Sequence, residues 1–187
     1  VPRLPVDVLD VEAFLRLPDF KPSFEFFDGR VVQKFAKNLP RSVIQLELTT
    51  ALNAFAQSKH LGRAFVSLRI ILGGSVLVPE ISFFGAGRVP RYVRGEQASE
   101  VTIAPDLAIE FLAPRQSPTE ARHKLNLLIE HGGKLGWLID TKREQIEIIR
   151  PNQVLEVLGV SDVISGEALL PGFTLGLEEI FGWLDQK

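Results

Sequence analysis

Ala104-Pro105-Asp106-Leu107-Ala108-Ile109-Glu110-Phe111-Leu112 is a strand-length run that is apolar on both faces apart from its two acids. Side chains alternate across a strand, so a half-exposed strand would show one polar face. This pattern predicts a central strand covered on both sides. A carboxylate held there costs several kcal/mol in desolvation, on the order of a whole hydrogen bond or more, unless a cation faces it. Glu110 therefore points to chemistry, with a base or a metal as its expected partner. The bland alternative, an edge residue reaching solvent, fits its apolar neighbours less well.

A second stretch, Val76-Leu77-Val78-Pro79-Glu80-Ile81-Ser82-Phe83-Phe84, also sets an acid among apolar residues. Asp106 and Glu110 are about 13 Å apart along an extended strand, too far to share an ion. A neighbouring strand has to supply the second acid, and Glu80 is the candidate donor. Glu80 and Glu110 together could hold Mg²⁺, which takes oxygen ligands and keeps several waters. A strand-start acid exposed after Pro79 is the alternative for Glu80.

Working outward, residues 118–131 read as a helix with Leu125, Leu128 and Ile129 on its apolar face and Gly132-Gly133 as its stop. Lys124 lies one turn before Leu128 and borders that face, so it could point back towards the acids. A solvated helix lysine is the alternative, since lysines are rarely buried. Upstream, residues 9–17 have helical spacing, and Phe24–Val32 read as a hairpin about Asp28-Gly29. Ser42–Ser58 read as an amphipathic helix with a stripe through Val43, Leu46, Leu48, Ala51, Leu52 and Phe55. Strands are expected at 64–72 and 76–84, then a polar loop over 85–99. Downstream, 135–140 and 145–149 form a second hairpin around Thr141–Glu144. Weak strands at 153–158 and 162–165 and a helix over 177–184 follow. No repeat or linker divides the chain, so residues 1–187 are expected to form a single mixed α/β domain.

The 187 residues suffice for a sizeable core, with 45% hydrophobic and 24% charged residues placing the chain among ordinary globular proteins. A net charge of −2 gives no global basic footprint, so a nucleic-acid partner would need a local patch. Cysteine is absent, which excludes disulfides, thiolate metal sites and a cysteine nucleophile. Three histidines, His60, His123 and His131, argue against a histidine-rich zinc centre. Neither a signal peptide nor a membrane-length apolar run is seen, and a cytoplasmic protein is expected.

Other residues have weaker readings. Asp106 reads as a turn cap after Pro105. Arg88, Arg91 and Arg94 could contact phosphates or simply solvate their loop. Gln116 could orient a ligand or a loop. His123 and His131 read as surface residues. Trp137 reads as core or dimer interface, and the apolar hairpin around it makes a homodimer plausible.

The ordered blocks FEFFDGRVV (24–32), VPEISFF (78–84), APDLAIEFLAP (104–114), HKLNLLIEHG (123–132), LGWLID (135–140) and LLPGFTLGLEEIF (169–181) resemble the Uma family of restriction-endonuclease-like proteins. The resemblance covers nearly the whole chain and rests on the ordered set more than on any one block. It implies the PD-(D/E)XK nuclease fold: α/β, with a central mixed β-sheet flanked by helices. It further implies dependence on Mg²⁺ or Mn²⁺ and hydrolysis of DNA phosphodiester bonds. On this resemblance Glu80 and Glu110 match the metal-binding acids. Leu112 stands where many such nucleases carry lysine, and Lys124 matches the family's lysine on the following helix. Glu25 matches a further acid of the site, and Asp106 the Pro-Asp opening the strand. Three positions depart from the family pattern. Glu80 replaces the usual Asp and reaches about 1.5 Å farther. Arg41 stands where a histidine is common before the long helix, and Ala113-Pro114 replaces Ser-Pro. With the low net charge, they give the alternative expectation: a catalytically inactive member acting as a nucleic-acid- or protein-binding homodimer.

Overall fold

The computed structural model describes residues 10–18, 21–91, 101–114 and 116–185. In chain order the elements are α1 (Val11–Leu15), β1 (Phe24–Phe27), β2 (Arg30–Gln33), α2 (Leu39–Ser58), β3 (Gly62–Val66), β4 (Ile70–Leu72), β5 (Ser75–Leu77), β6 (Ile81–Gly85) and β7 (Leu107–Phe111). They continue with α3 (Pro118–Glu130), β8 (Leu135–Asp140), β9 (Gln145–Ile149), β10 (Glu156–Leu158), β11 (Val163–Ser165), β12 (Thr174–Gly176) and α4 (Leu177–Gly182), closed by a 3₁₀ turn at Trp183–Asp185.

The strand quoted first lies inside a six-stranded sheet of order β10-β9-β8-β7-β6-β3. β7 runs parallel to β8 and antiparallel to β6. A parallel pair needs a crossover, and α3 supplies it. One face of the sheet packs Leu107, Ile109, Phe111, Trp137 and Ile139 against α2 and α4. The other face packs Ala108 and Leu138 against Ala121, Leu125 and Leu128 of α3. Both faces of β7 are thus covered, which is why its sequence does not alternate. A mixed sheet between helices is the expected fold class.

A second sheet, of order β2-β1-β5-β4, sits over the same end of the molecule as α3. Asp28 and Gly29 both take positive φ, 52° and 67°, as the two-residue turn between β1 and β2 requires. Phe24 and Phe26 point outward to Phe14 of α1. Glu25 and Phe27 lie on the opposite face of β1, towards α3.

Several local expectations change. The runs 64–72 and 76–84 are each cut in two, because β3 and β6 belong to the large sheet while β4 and β5 belong to the small one. The second cut falls at Val78-Pro79-Glu80, where proline cannot donate to a ladder. α2 starts three residues earlier than predicted, with Asn38 Oδ1 accepting from Arg41 N. Its buried stripe is Arg41, Ile44, Gln45, Leu48, Leu52 and Ala56, whereas Leu46 is 65% exposed. Two polar residues occupy the core face because that end of the helix meets an acid. β12 was not foreseen: Thr174–Gly176 is a three-residue strand that pairs only with β11. Trp137 is fully buried in the core, so the β8–β9 hairpin offers no apolar dimer face. Among the described residues the exposed valines are Val66, Val154, Val157, Val160 and Val163 instead. Among the described residues no helix is long and apolar enough to cross a membrane.

Asp106 is not a turn cap but a buried clamp. Its carboxylate accepts from Gly85 N at 2.8 Å and pairs with Arg88 at 2.5 Å and Lys134 at 3.0 Å. It thereby ties β6 and the loop after it to the segment entering β8. Arg88 also donates to Ala104 O, so it is engaged within the fold rather than offered to phosphates. Arg91 is exposed, and Arg94 lies outside the described residues. Burial pushes the Asp106 carboxyl up, but the Gly85 N–H, Lys134 and Arg88 outweigh it and hold the carboxyl below the ordinary aspartate range. Its contribution is therefore complete above the unfolded value of about 3.9 and is lost as pH falls through the lower folded value. Asp106→Asn is expected to lower stability by about 2 kcal/mol at pH 7, reduced from the full buried-pair cost because Arg88 and Lys134 are partly exposed. In urea unfolding, the gap to the unsubstituted chain should stay flat down to about pH 4 and narrow only below it.

Candidate active site

The antiparallel register of β6 and β7 pairs Ile81 with Ile109. One step beyond the ladder, Glu80 comes opposite Glu110. Like charges in such positions repel, so cations must stand between them. Lys34, just past the end of β2, does so. Its ammonium lies 2.8 Å from Glu80 Oε1 and 3.8 Å from Glu110 Oε2, and it donates to Val78 O.

Lys124 occupies the other side of Glu110. Its Nζ is 2.7 Å from Glu110 Oε1 and 2.7 Å from Glu25 Oε2. Glu25 in turn accepts from Val78 N at 2.7 Å through Oε1. One ammonium thus links the hairpin of the small sheet, the central strand of the large sheet and α3. Pro118 starts that helix and Gly132, at φ 103°, ends it, fixing the turn on which Lys124 faces inward.

Glu80 is further enclosed from the start of α2. Arg41 Nη2 donates to Glu80 Oε1 at 3.3 Å, and Lys37 lies 3.4 Å from Oε2. Gln45 Nε2 donates to the Glu80 carbonyl at 2.7 Å and to Oε2 at 3.3 Å. The carboxylates of Glu25, Glu80 and Glu110 and the cations Lys124 and Arg41 are all buried.

The electrostatics differ across the cluster. Burial pushes Glu80 up, but Lys34, Lys37 and Arg41 outweigh it and hold its carboxyl below the ordinary range. Burial also pushes Glu110 up, and here Lys124 and Lys34 only partly compensate while Glu25 and Glu80 add to the rise. Burial would lower Lys124, yet Glu110 and Glu25 raise it well above the ordinary lysine value. Burial is the main cause of the Glu110 rise, and the neighbouring carboxylates are the cause of the Lys124 rise. A single ammonium between two carboxylates leaves that side of the site with excess negative charge, which holds protons and attracts a further cation.

All four residues singled out from the sequence, Glu25, Glu80, Glu110 and Lys124, are brought together. Lys34, Lys37 and Gln45 were missed. Lys34 had a weak signal: it lies two residues after Val32, on the face that Glu25 shares across the hairpin. Gln116 serves its loop, its Oε1 accepting from Ala113 N at 3.0 Å. His123 pairs with Asp28 at 2.8 Å and His131 Nδ1 lies 2.7 Å from Leu127 O, both on the surface. Among the described residues no group of three or more His, Asp or Glu side chains is placed to hold a metal ion. The Lys34 ammonium nonetheless sits against oxygens of Glu80, Glu110 and the Val78 carbonyl. That donor chemistry suits a hard divalent ion, which binds through one or two carboxylates and retains water.

Comparison with known proteins gives a family and a fold. The Uma2 family, described as "Putative restriction endonuclease", matches residues 11–178. A crystal structure from Anabaena variabilis ATCC 29413, described as a putative nuclease belonging to DUF820, is similar with 33% sequence identity and a TM-score of 0.87. The match covers 94% of this chain and 98% of that one. No curated protein matches the chain.

The charge balance around Lys124 sets an asymmetric expectation. Lys124→Met leaves Glu25 and Glu110 buried without their shared cation and should cost roughly 3–5 kcal/mol in urea unfolding at pH 7. Glu110→Gln leaves Lys124 paired with Glu25 and should cost less than about 1 kcal/mol. Equal losses in the two variants would show that the pairings do not carry the cluster.

Proposed function

The chain belongs to the Uma2 family of restriction-endonuclease-like proteins, and on that premise we propose that it is a divalent-metal-dependent endonuclease that hydrolyses phosphodiester bonds in DNA. The observation that supports this best is the convergence of Glu80 and Glu110 on one oxygen-lined cation position, with Lys124 held 2.7 Å from Glu110. Glu80 and Glu110 would hold Mg²⁺ or Mn²⁺. Such an ion supplies Lewis-acid polarisation of a phosphoryl oxygen and lowers the pKa of water.

Lys124 keeps its proton at neutral pH, since its pKa lies above the ordinary lysine value. Its role is to orient Glu110 and to offset negative charge gathering on the phosphate. Glu25 holds Lys124 from the far side and fixes the Val78 amide, so it positions the lysine and the bend that carries Glu80. Arg41 and Lys37 hold the longer Glu80 side chain in place of the shorter acid usual at this position.

The surroundings suit a polyanion. A cavity of about 330 Å³ beside Arg41 is bordered by Lys142 and Arg143, and another of about 450 Å³ is bordered by Lys21, Lys34 and Lys37. These cations give a local basic rim that the net charge of −2 conceals. DNA affinity should therefore fall steeply with added salt.

Plasmid nicking in Mg²⁺ or Mn²⁺ tests the reading. Glu110→Gln and Lys124→Met are each expected to reduce it by roughly a hundredfold or more. Absence of cleavage with either ion, together with absence of ion binding by calorimetry, would overturn the proposal. Ion binding should also follow pH in a set direction. The ion takes the deprotonated carboxylate, and Glu110 is raised while Glu80 is lowered. Mn²⁺ affinity should accordingly begin to fall at a pH above the ordinary glutamate range, and Glu110→Gln should abolish ion binding itself. A fall confined to the range below ordinary glutamate would contradict the assignment.

A further inference from the structure

Among the described residues, Lys34 is the one cation that touches both Glu80 and Glu110. It also donates to the Val78 carbonyl, so its ammonium sits where three oxygens meet. The other cations each serve one side: Lys37 and Arg41 hold Glu80, and Lys124 holds Glu110. Removing the Lys34 ammonium would leave both acids with a remaining partner. The cluster would survive, and the space between the acids would be open.

We propose that Lys34 is a resident counter-ion that fills the divalent-ion position, and that ion binding requires its side chain to swing out into the adjoining cavity. The inference rests on the metal-site reading of Glu80 and Glu110. The backbone at Lys34 is anchored, its N–H donating to Ser23 O at 2.9 Å, so the movement belongs to the side chain. Lys34 already borders that cavity of about 450 Å³, which has room for a lysine side chain. Lys21 and Lys37 border the same cavity. Their charge disfavours a third ammonium there and holds Lys34 between the acids until an ion competes for them. A phosphate in the cavity would remove that penalty, so the same movement couples ion binding to substrate arrival. The chain thus limits its own ion occupancy when no substrate is present.

The direct test is Mn²⁺ titration by calorimetry on the full chain and on its Lys34→Met and Lys59→Met variants. Lys34→Met is expected to bind Mn²⁺ roughly tenfold tighter or more, because the binding-competent state no longer has to be selected. Lys59→Met, which removes an exposed charge beside the Phe55 ring at the far end of α2, should change affinity by less than about threefold. If the unsubstituted chain binds Mn²⁺ and Lys34→Met binds no tighter, the counter-ion role is wrong while the metal site stands. If neither binds, the metal site itself is wrong and the inference falls with it. A second measurement uses the unsubstituted chain and does not depend on how the variant folds. Reductive methylation followed by mass spectrometry should find Lys34 protected without divalent ions and modified at saturating Mg²⁺. Protection that persists at saturating Mg²⁺ would overturn the proposal.

Discussion

The ammonium of Lys124 lies between two buried carboxylates, and the architecture around it follows from that placement. Glu25 belongs to the small sheet, Glu110 to the central strand of the large one, and Lys124 to the crossover helix. A dry seam between two sheets would ordinarily be closed by apolar side chains. Here the seam holds three acids, and each is buried at the cost of its hydration. Such burial is tolerated only when cations meet every carboxylate in good geometry. The chain meets this demand with residues from β2, the start of α2 and α3, so the positions of those elements are fixed by charge as much as by packing.

Two departures from the family pattern account for each other in space. On the resemblance drawn from the sequence, Glu80 stands where an aspartate is expected and Arg41, in the first turn of α2, where a histidine is expected. In the fold these two residues meet, with Arg41 Nη2 3.3 Å from Glu80 Oε1. Arg41 and Gln45 hold the glutamate along two different oxygens. Read one at a time, each change looks like loss of a functional residue. Read together, they form one buried ion pair.

Glu110 and Lys124 were legible because their signals are local: an acid in an unalternating apolar strand, and a lysine at the edge of a helix's apolar face. The central strand and the helix that follows it were legible for the same reason, whereas the order of the strands was not. The pairing of Glu80 with Glu110 was legible only as a requirement, since strand register is set by partners far along the chain. The cut at Val78–Glu80 was hidden because both halves of the run are apolar and both are strands. Hydropathy cannot show that they join different sheets. Lys34 had only its weak hairpin-face signal and Lys37 none, because a paired lysine and a solvated one look alike in sequence, and base rates favour exposure. Asp106 misled for a similar reason: Pro-Asp is a common turn signal, while its two cationic partners come from separate loops.

The bend at Val78 has a consequence for how relatives of this chain are judged. Its N–H is satisfied by the Glu25 carboxylate and its carbonyl by the Lys34 ammonium. In most strands a ladder neighbour would do this, and any sequence could supply it. Here ionisable side chains have replaced backbone partners, so losing an acid unsettles the joint between the sheets. Selection for a well-formed molecule then preserves the acids whether or not a bond is ever cleaved. Persistence of the acidic set in a distant relative is therefore a record of architecture first, and a count of retained acids cannot by itself separate active descendants from silent ones.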